Sequence, residues 1–237
     1  MLAAERTGIA LVRGAEISTV CGGVSVHLLA YLHDPEHAAL LAELEATRAS
    51  RLTRLERMAG LLAVDYPITW EDVLAQTGPD ATVGRPHLAD ALVAAGVVDT
   101  RDEAFATMLR PGTRYYVPHA APDAVAAVRA VRAAGGVPVF AHPGASQRGR
   151  VVPEERIEEL AAAGLAGLEV DHRDHDGDTR ARLRDVARAL GLLVTGSSDY
   201  HGAGKPNRLG ENTTSARVLG QIEEQGTVDV VRPGRRR

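Results

Sequence analysis

The sequence predicts an α/β fold in which strands alternate with helices. Short apolar runs recur between helical segments of ten or more residues. Glycines close those helices at 135–136, 164 and 191, and the strands that follow end on polar residues. Alternation of this length implies a parallel sheet or barrel. The 237 residues suffice for one large α/β domain or two small ones. Hydrophobic residues make up 45% and aromatics 3%, so the core is built from Ala, Val and Leu.

Taken in order, Ala3, Ala4, Glu5 and Arg6 favour helix, and Gly8 can terminate it. Residues 9–13 form an apolar run expected to be a strand. It leads into Gly14-Ala15-Glu16-Ile17-Ser18, with Glu16 at or near its end. Cys21-Gly22-Gly23 is a turn signal. Residues 24–31 are the next strand, with His27 in its middle. Asp34-Pro35 opens a long helix to about Leu62. Its Leu and Ala residues repeat every three or four positions, and its Arg and Glu residues form a solvated face.

From Pro67 to about Pro118 the texture changes. Thr69 is placed to cap a short helix holding Trp70 and Val73. Pro86 suits the first turn of a second helix over 87–95, and Asp99 or Thr100 can start a third. This segment is expected to be a small helical insertion without strands. A regular order then follows: helix 122–134, strand 137–141, helix 153–163, strand 165–170, helix 178–190 and a last strand from Leu192. Beyond about Arg217 only one weak helix is expected, and the Arg-rich end, 232–237, reads as a frayed terminus.

Composition narrows the function classes. Net charge is −4, and no field of one sign argues for long nucleic acid or an anionic membrane. Cys21 is the sole cysteine, which excludes an internal disulfide and a thiolate zinc cluster. Apolar runs fall short of a membrane span, and the first six residues lack the basic start and apolar stretch of a signal peptide. A cytoplasmic protein is the expectation.

Candidate chemistry lies at the strand ends. If the last strand continues, Asp199 and His201, two apart, face the same side and can meet one divalent ion or two adjacent ones. Glu16, His27 and His142 occupy comparable places, and parallel α/β folds gather functional groups at the C-terminal strand edge. Together these five residues predict a metal site. Its oxygen and nitrogen donors suit zinc, manganese or iron, and hydrolysis of a phosphate ester or an amide is the natural chemistry.

Substrate-binding candidates are Arg85 and His87, at a helix start that can seat an anion, then His119, and more weakly Arg148. His172 and His175, with acids at 171, 174 and 176 around them, either support the ligands or belong to a solvated loop. His33 and His37 are expected to be exposed. No Ser-His-Asp spacing supports a serine nucleophile, and neither Gly22-Gly23 nor Gly135-Gly136 is a phosphate loop.

Gly14-Ala15-Glu16-Ile17-Ser18, Val26-His27-Leu28-Leu29, Gly84-Arg85-Pro86-His87, Ala141-His142-Pro143 and Ser198-Asp199-Tyr200-His201-Gly202 stand in the order of motifs in PHP (polymerase and histidinol phosphatase) domain proteins. Over about residues 1–215 the chain most resembles the TrpH-like metal-dependent phosphoesterases. The resemblance implies a distorted seven-stranded β/α barrel, carried by 1–66 and 119–215, with a helical insertion at 67–118, a tail at 216–237, and a di- or trinuclear metal centre. Glu16 is similar to the carboxylate that bridges two metals. His27 and His142 match ligands of one metal, Asp199 a ligand of its neighbour and His201 a ligand of the third. Arg85 and His87 are implied to lie near a substrate phosphate, and His119 stands where the family often has lysine.

The family also opens with a His-x-His strand and an Asp-His pair, neither of which this sequence contains. The resemblance therefore predicts an N-terminally truncated barrel, from either a start downstream of the natural one or a degenerate homologue. It also predicts edge strands near Ile9 and Leu192 and poor solubility. The implied activity is hydrolysis of a small phosphomonoester, a nucleotide or an oligonucleotide end by metal-bound hydroxide. The alternatives are a non-catalytic remnant that binds a metal or partner, and a metal-dependent amidohydrolase.

Overall fold

The computed structural model describes residues 2–78, 83–118, 121–201 and 206–233. It divides into two compact units, one of Met1–Glu43 with Pro122–Arg237 and one of Leu44–Ala121.

The first unit is built on a mixed sheet of five strands among the described residues, where the resemblance implied seven. In space they run β1 (Gly14–Cys21), β2 (Val24–Tyr31), β3 (Val137–Ala141), β4 (Gly167–Asp171) and β5 (Leu193–Gly196). β1 and β2 are an antiparallel hairpin. Gly22 and Gly23 both take positive φ, 55° and 75°, as a two-residue type I′ turn requires. β2 also pairs antiparallel with β3, and only β3, β4 and β5 are parallel. The expected alternation thus describes the second half of the sheet alone.

In that half, α6 (Ala124–Ala133) precedes β3, α7 (Glu154–Ala162) joins β3 to β4, and α8 (Gly177–Ala189) joins β4 to β5. Asp123 and Asp176 cap α6 and α8 by accepting backbone N–H bonds in the first turn. All five residues of β3 are buried, the pattern of a strand covered on both faces.

The strand expected over 9–13 is not formed. After α1 (Leu2–Thr7), only Leu11 makes a bridge, exchanging backbone bonds with Val231 at 2.9 and 3.0 Å. Regular pairing begins at Gly14, opposite Tyr31, and a Cβ at Gly14 would lie 2.8 Å from the Ala30 carbonyl oxygen. The edges of the sheet are therefore β1 and β5. The C-terminal segment is packed in: α9 (Ala216–Gln225) supplies Ile222, and Val230 follows, to a cluster with Leu32, Val137 and Ala166. Of the end expected to fray, Arg232 pairs with Glu223 at 2.6 Å, and 234–237 lie outside the described residues.

The second unit is helical throughout its described residues, with α3 (Trp70–Ala75), α4 (Arg85–Ala94) and α5 (Arg101–Thr107). It begins at Leu44, ahead of the expected boundary at 67, because the later turns of α2 (Ala38–Ala63) contribute Leu55, Met58, Ala59 and Leu62 to its core. Those residues meet Val73, Leu88, Leu92 and Leu109. Thr69 and Asp72 form a reciprocal capping box at α3, and Thr100 caps α5. No helix among the described residues is long and apolar enough to cross a membrane.

Candidate metal centre

Strand register brings the first three candidates together. Ser18 lies opposite His27, so Glu16, two residues before Ser18, shares the face of His27. His27 in turn lies opposite Ala141, which sets His142 beside it at the end of β3. His27 Nδ1 is 2.6 Å from Glu16 Oε1 and 3.4 Å from His142 Nε2, which is itself 3.9 Å from Glu16 Oε1. One donor atom from each residue falls within 4.8 Å of the others, close enough to hold one divalent ion.

Protonation favours the same use. Burial works to raise the Glu16 carboxyl, but hydrogen bonds and charge from His142 and His27 outweigh it and hold the group well below the usual carboxylate range. Burial pushes the His142 imidazole down, against the pull of Glu16, and so favours the neutral ring that can ligate.

The parallel strands aim further groups at the same edge. Glu169, in the middle of β4, is 2% exposed and accepts the backbone N–H of His142 at 2.9 Å through Oε2. Burial pushes its carboxyl up. It was not among the candidates of the sequence, where the only signal is one acid inside the apolar run Leu168-Glu169-Val170. His172 and His175 are 0% and 3% exposed, which rules out a solvated loop. The His175 ring accepts the Gly144 N–H at 3.0 Å and donates to the Val170 carbonyl at 2.8 Å, so it braces the loop that carries His142. Rings of His27, His142, His172 and His175 follow one another at 5.3, 5.3 and 5.6 Å between centroids.

Asp199 and His201 are not on a continued strand. β5 ends at Gly196, and Asp199 has φ 45°. His142 is also left-handed, at φ 34°. Positive φ at non-glycine residues stores strain of a kind that clusters at functional sites. The alternation argument for Asp199 and His201 therefore does not apply, yet His201 Nδ1 lies 3.2 Å from Asp199 Oδ1. Arg148 reaches the same acid, donating to Asp199 Oδ2 and Asp174 Oδ2 at 2.7 Å each. Glu16, His142, Glu169, Asp199 and His201 line one pocket together with the exposed Tyr200 and Leu209.

Of the remaining candidates, Arg85 and His87 belong to the helical unit. In the helical unit, His87 Nδ1 accepts the Gly84 N–H at 2.9 Å and closes the start of α4. Arg85 stacks over Phe105 at 5.5 Å and donates to the Leu109 carbonyl at 3.3 Å. His119 is outside the described residues. His33 and His37, expected to be exposed, are partly buried; His33 Nδ1 lies 3.1 Å from the Ala30 carbonyl oxygen and His37 Nδ1 accepts from Leu40 N.

No protein-family model matches the chain. It is 33% identical over 207 residues to the 3′,5′-nucleoside bisphosphate phosphatase of Chromobacterium violaceum, covering 87% of this chain and 73% of that one. A 5′-3′ exoribonuclease of Haemophilus influenzae is 30% identical over 202 residues, with 84% and 73% covered. Among solved structures, a Bifidobacterium adolescentis protein described as a metal-dependent phosphoesterase superimposes with a TM-score of 0.89 at 46% identity, over 95% of this chain and 80% of that one. A Chromobacterium violaceum structure described as an amidohydrolase, with sulfate bound and no metal, gives 0.81 at 30% identity, over 99% and 82%.

Proposed function

The chain belongs to the PHP-type family of metal-dependent phosphoesterases, and on that premise we propose that it is a TrpH-like member acting on a small phosphomonoester, a nucleotide or an oligonucleotide end. The observation that carries the proposal is the convergence of Glu16, His27 and His142 within 4.8 Å, where Glu16 and His142 line a pocket together with Asp199 and His201. The same reading takes the sheet as the distorted seven-stranded barrel of the family, of which five strands are described.

The donors present fit manganese, zinc or iron, since imidazole and carboxylate groups suit all three and no thiolate is near. We propose that Glu16, His27 and His142 would hold one metal, Glu16 with Asp199 a second, and His201 a third. Bound ions of this kind supply a nucleophile at neutral pH and charge against the phosphoryl oxygens.

Everything else falls to the protein's own groups. Glu16 stays ionised because two imidazoles face it. His142 stays neutral because it is buried. We assign phosphoryl oxygens to Arg148, whose guanidinium bonds Asp174 and the pocket-lining Asp199. Arg85, His87 and His119 are assigned to phosphate contact on the strength of the resemblance alone.

A second reading, amidohydrolysis, is favoured by the description of the sulfate-bound Chromobacterium violaceum structure. Assays with added Mn²⁺ on adenosine 3′,5′-bisphosphate, a 5′-phosphorylated oligoribonucleotide and simple N-acyl amides separate the readings. Phosphate release that stops with EDTA is the expected result. Turnover of amides alone selects the second reading. Metal binding without any turnover selects a non-catalytic remnant.

A further inference from the structure

We propose that His172 is a positioning residue of the metal centre, holding the Asp199 carboxylate through the proton on its Nε2. The inference rests on the reading of Asp199 as a metal ligand.

β4 ends at Asp171, and the next side chain turns into the protein rather than out of it: His172 is 0% exposed, between the rings of His142 and His175. Its Nδ1 accepts the backbone N–H of Asp174, two residues on, at 3.1 Å. A ring nitrogen that accepts a hydrogen bond carries no proton, so the proton of the neutral ring is on Nε2. That atom is the one buried side-chain nitrogen or oxygen without a hydrogen-bond partner among the described residues. Leaving a buried donor unsatisfied is unfavourable, and such a group in a native fold calls for a partner.

The carboxylate oxygen facing it is Asp199 Oδ2, at 3.6 Å. A shift of a few tenths of an ångström brings that pair within hydrogen-bond range. Arg148 Nη2 already donates to the same oxygen at 2.7 Å. Two donors on Oδ2 fix the plane of a carboxylate whose backbone is in the left-handed region, and they leave Oδ1 on the side of His201.

Two other roles fail on this geometry. Ligation of a metal through Nε2 would move the ring proton to Nδ1, where it would face the N–H of Asp174. A solvated histidine is excluded by burial. An imidazole that orients a ligating carboxylate from outside the coordination sphere is what remains, and partners of that kind tune metal affinity.

The test uses the full chain and reads Mn²⁺ binding by calorimetry, thermal melting, and kcat and KM on adenosine 3′,5′-bisphosphate. His172→Phe keeps the ring volume but removes both the Nε2 donor and the Nδ1 acceptor of the Asp174 N–H, so its melting temperature is expected to fall. It is expected to weaken Mn²⁺ binding and lower kcat by about 10- to 100-fold, with KM little changed. His172→Gln, whose amide reaches the position of Nε2, is expected to restore much of both, and His172→Asn, too short, is not. Should the Phe variant fail to fold, the Gln and Asn pair decides. Wild-type Mn²⁺ affinity in His172→Phe, or equal behaviour of Gln and Asn, overturns the inference. Asp199→Asn is the control: unchanged Mn²⁺ binding there defeats the ligand reading itself, whereas a loss there with none at His172 defeats this inference alone.

Discussion

Glu16 Oε1 and His27 Nδ1 meet at 2.6 Å because the β1–β2 hairpin pairs Ser18 with His27 and leaves Glu16 one diagonal step away. Secondary structure alone therefore brings together two of the three converging ligands, before any loop is placed. Its electrostatic consequence is a carboxyl held well below its ordinary value near 4.5 by His142 and His27.

That depression gives a signed pH dependence for the metal-free protein. A carboxyl with a lowered folded-state pKa contributes stability above its unfolded value and loses it as pH falls through the folded one. The stability gap between the wild type and Glu16→Gln is expected to be widest near neutral pH and to close as pH drops below about 4.5. Denaturant melts of both proteins in EDTA across that range supply the measurement. A gap that stays constant with pH contradicts the assignment of the charge to this pair.

Glu169 makes a second test, independent of metal loading. Its Oε2 accepts the His142 N–H in a site 2% exposed, so truncation leaves a buried donor unsatisfied. Glu169→Ala is expected to cost about 1–3 kcal/mol of stability and to weaken Mn²⁺ binding through His142. Glu169→Gln keeps an acceptor and removes a carboxyl that burial disfavours in its charged form, so its stability at neutral pH is expected to match or exceed the wild type. If Ala and Gln behave alike, the hydrogen bond to His142 does not matter.

How much of this was legible in the sequence depends on what sets each feature. The apolar runs at β3, β4 and β5 and the glycine-ended helices are local signals, and their elements lie within a few residues of expectation. The run at 9–13 is just as apolar, yet a strand needs a partner, and the partner of β2 on that side starts at Gly14. Glu16, His27 and His142 were visible as polar residues on or beside apolar strands. The burial of His172 and His175 was hidden by Asp171, Asp174 and Asp176, which make their loop look solvated. In the fold those acids have partners other than water. Asp171 pairs with Arg184, Asp174 with Arg148, and Asp176 caps α8. Such matches come from tertiary placement, which composition does not carry.

Arg148 is assigned to the phosphate, and its bond to Asp199 ties it to the metal centre as well. Its fork spans Asp174 and Asp199, and Asp199 lines the pocket. Loss of charge-assisted hydrogen bonds to a phosphoryl group is expected to lower kcat/KM by about 10- to 100-fold for Arg148→Ala. Lysine offers one ammonium in place of a planar fork, so Arg148→Lys should recover little of it. Kinetics on adenosine 3′,5′-bisphosphate at saturating Mn²⁺ give the comparison. Full recovery in the lysine variant would show that a point charge suffices and that the fork geometry is irrelevant.

Removal of the metal or of the His142 imidazole should act in the same direction but by different routes. EDTA is expected to abolish phosphate release, with Mn²⁺ restoring it. His142→Ala deletes a donor 3.9 Å from Glu16 Oε1 and 3.4 Å from His27 Nδ1, and leaves the other two ligand atoms without their third. Three convergent donors hold an ion far better than two, so the variant should bind Mn²⁺ weakly, and added Mn²⁺ should rescue it only in part. Asp199→Ala lies outside that triad and should lose activity and the ion assigned to Asp199, while retaining the one held by Glu16, His27 and His142. Calorimetric titration of Mn²⁺ into each variant distinguishes the two cases. The assignment of the triad is refuted if His142→Ala binds Mn²⁺ as tightly as the wild type, whatever happens to turnover.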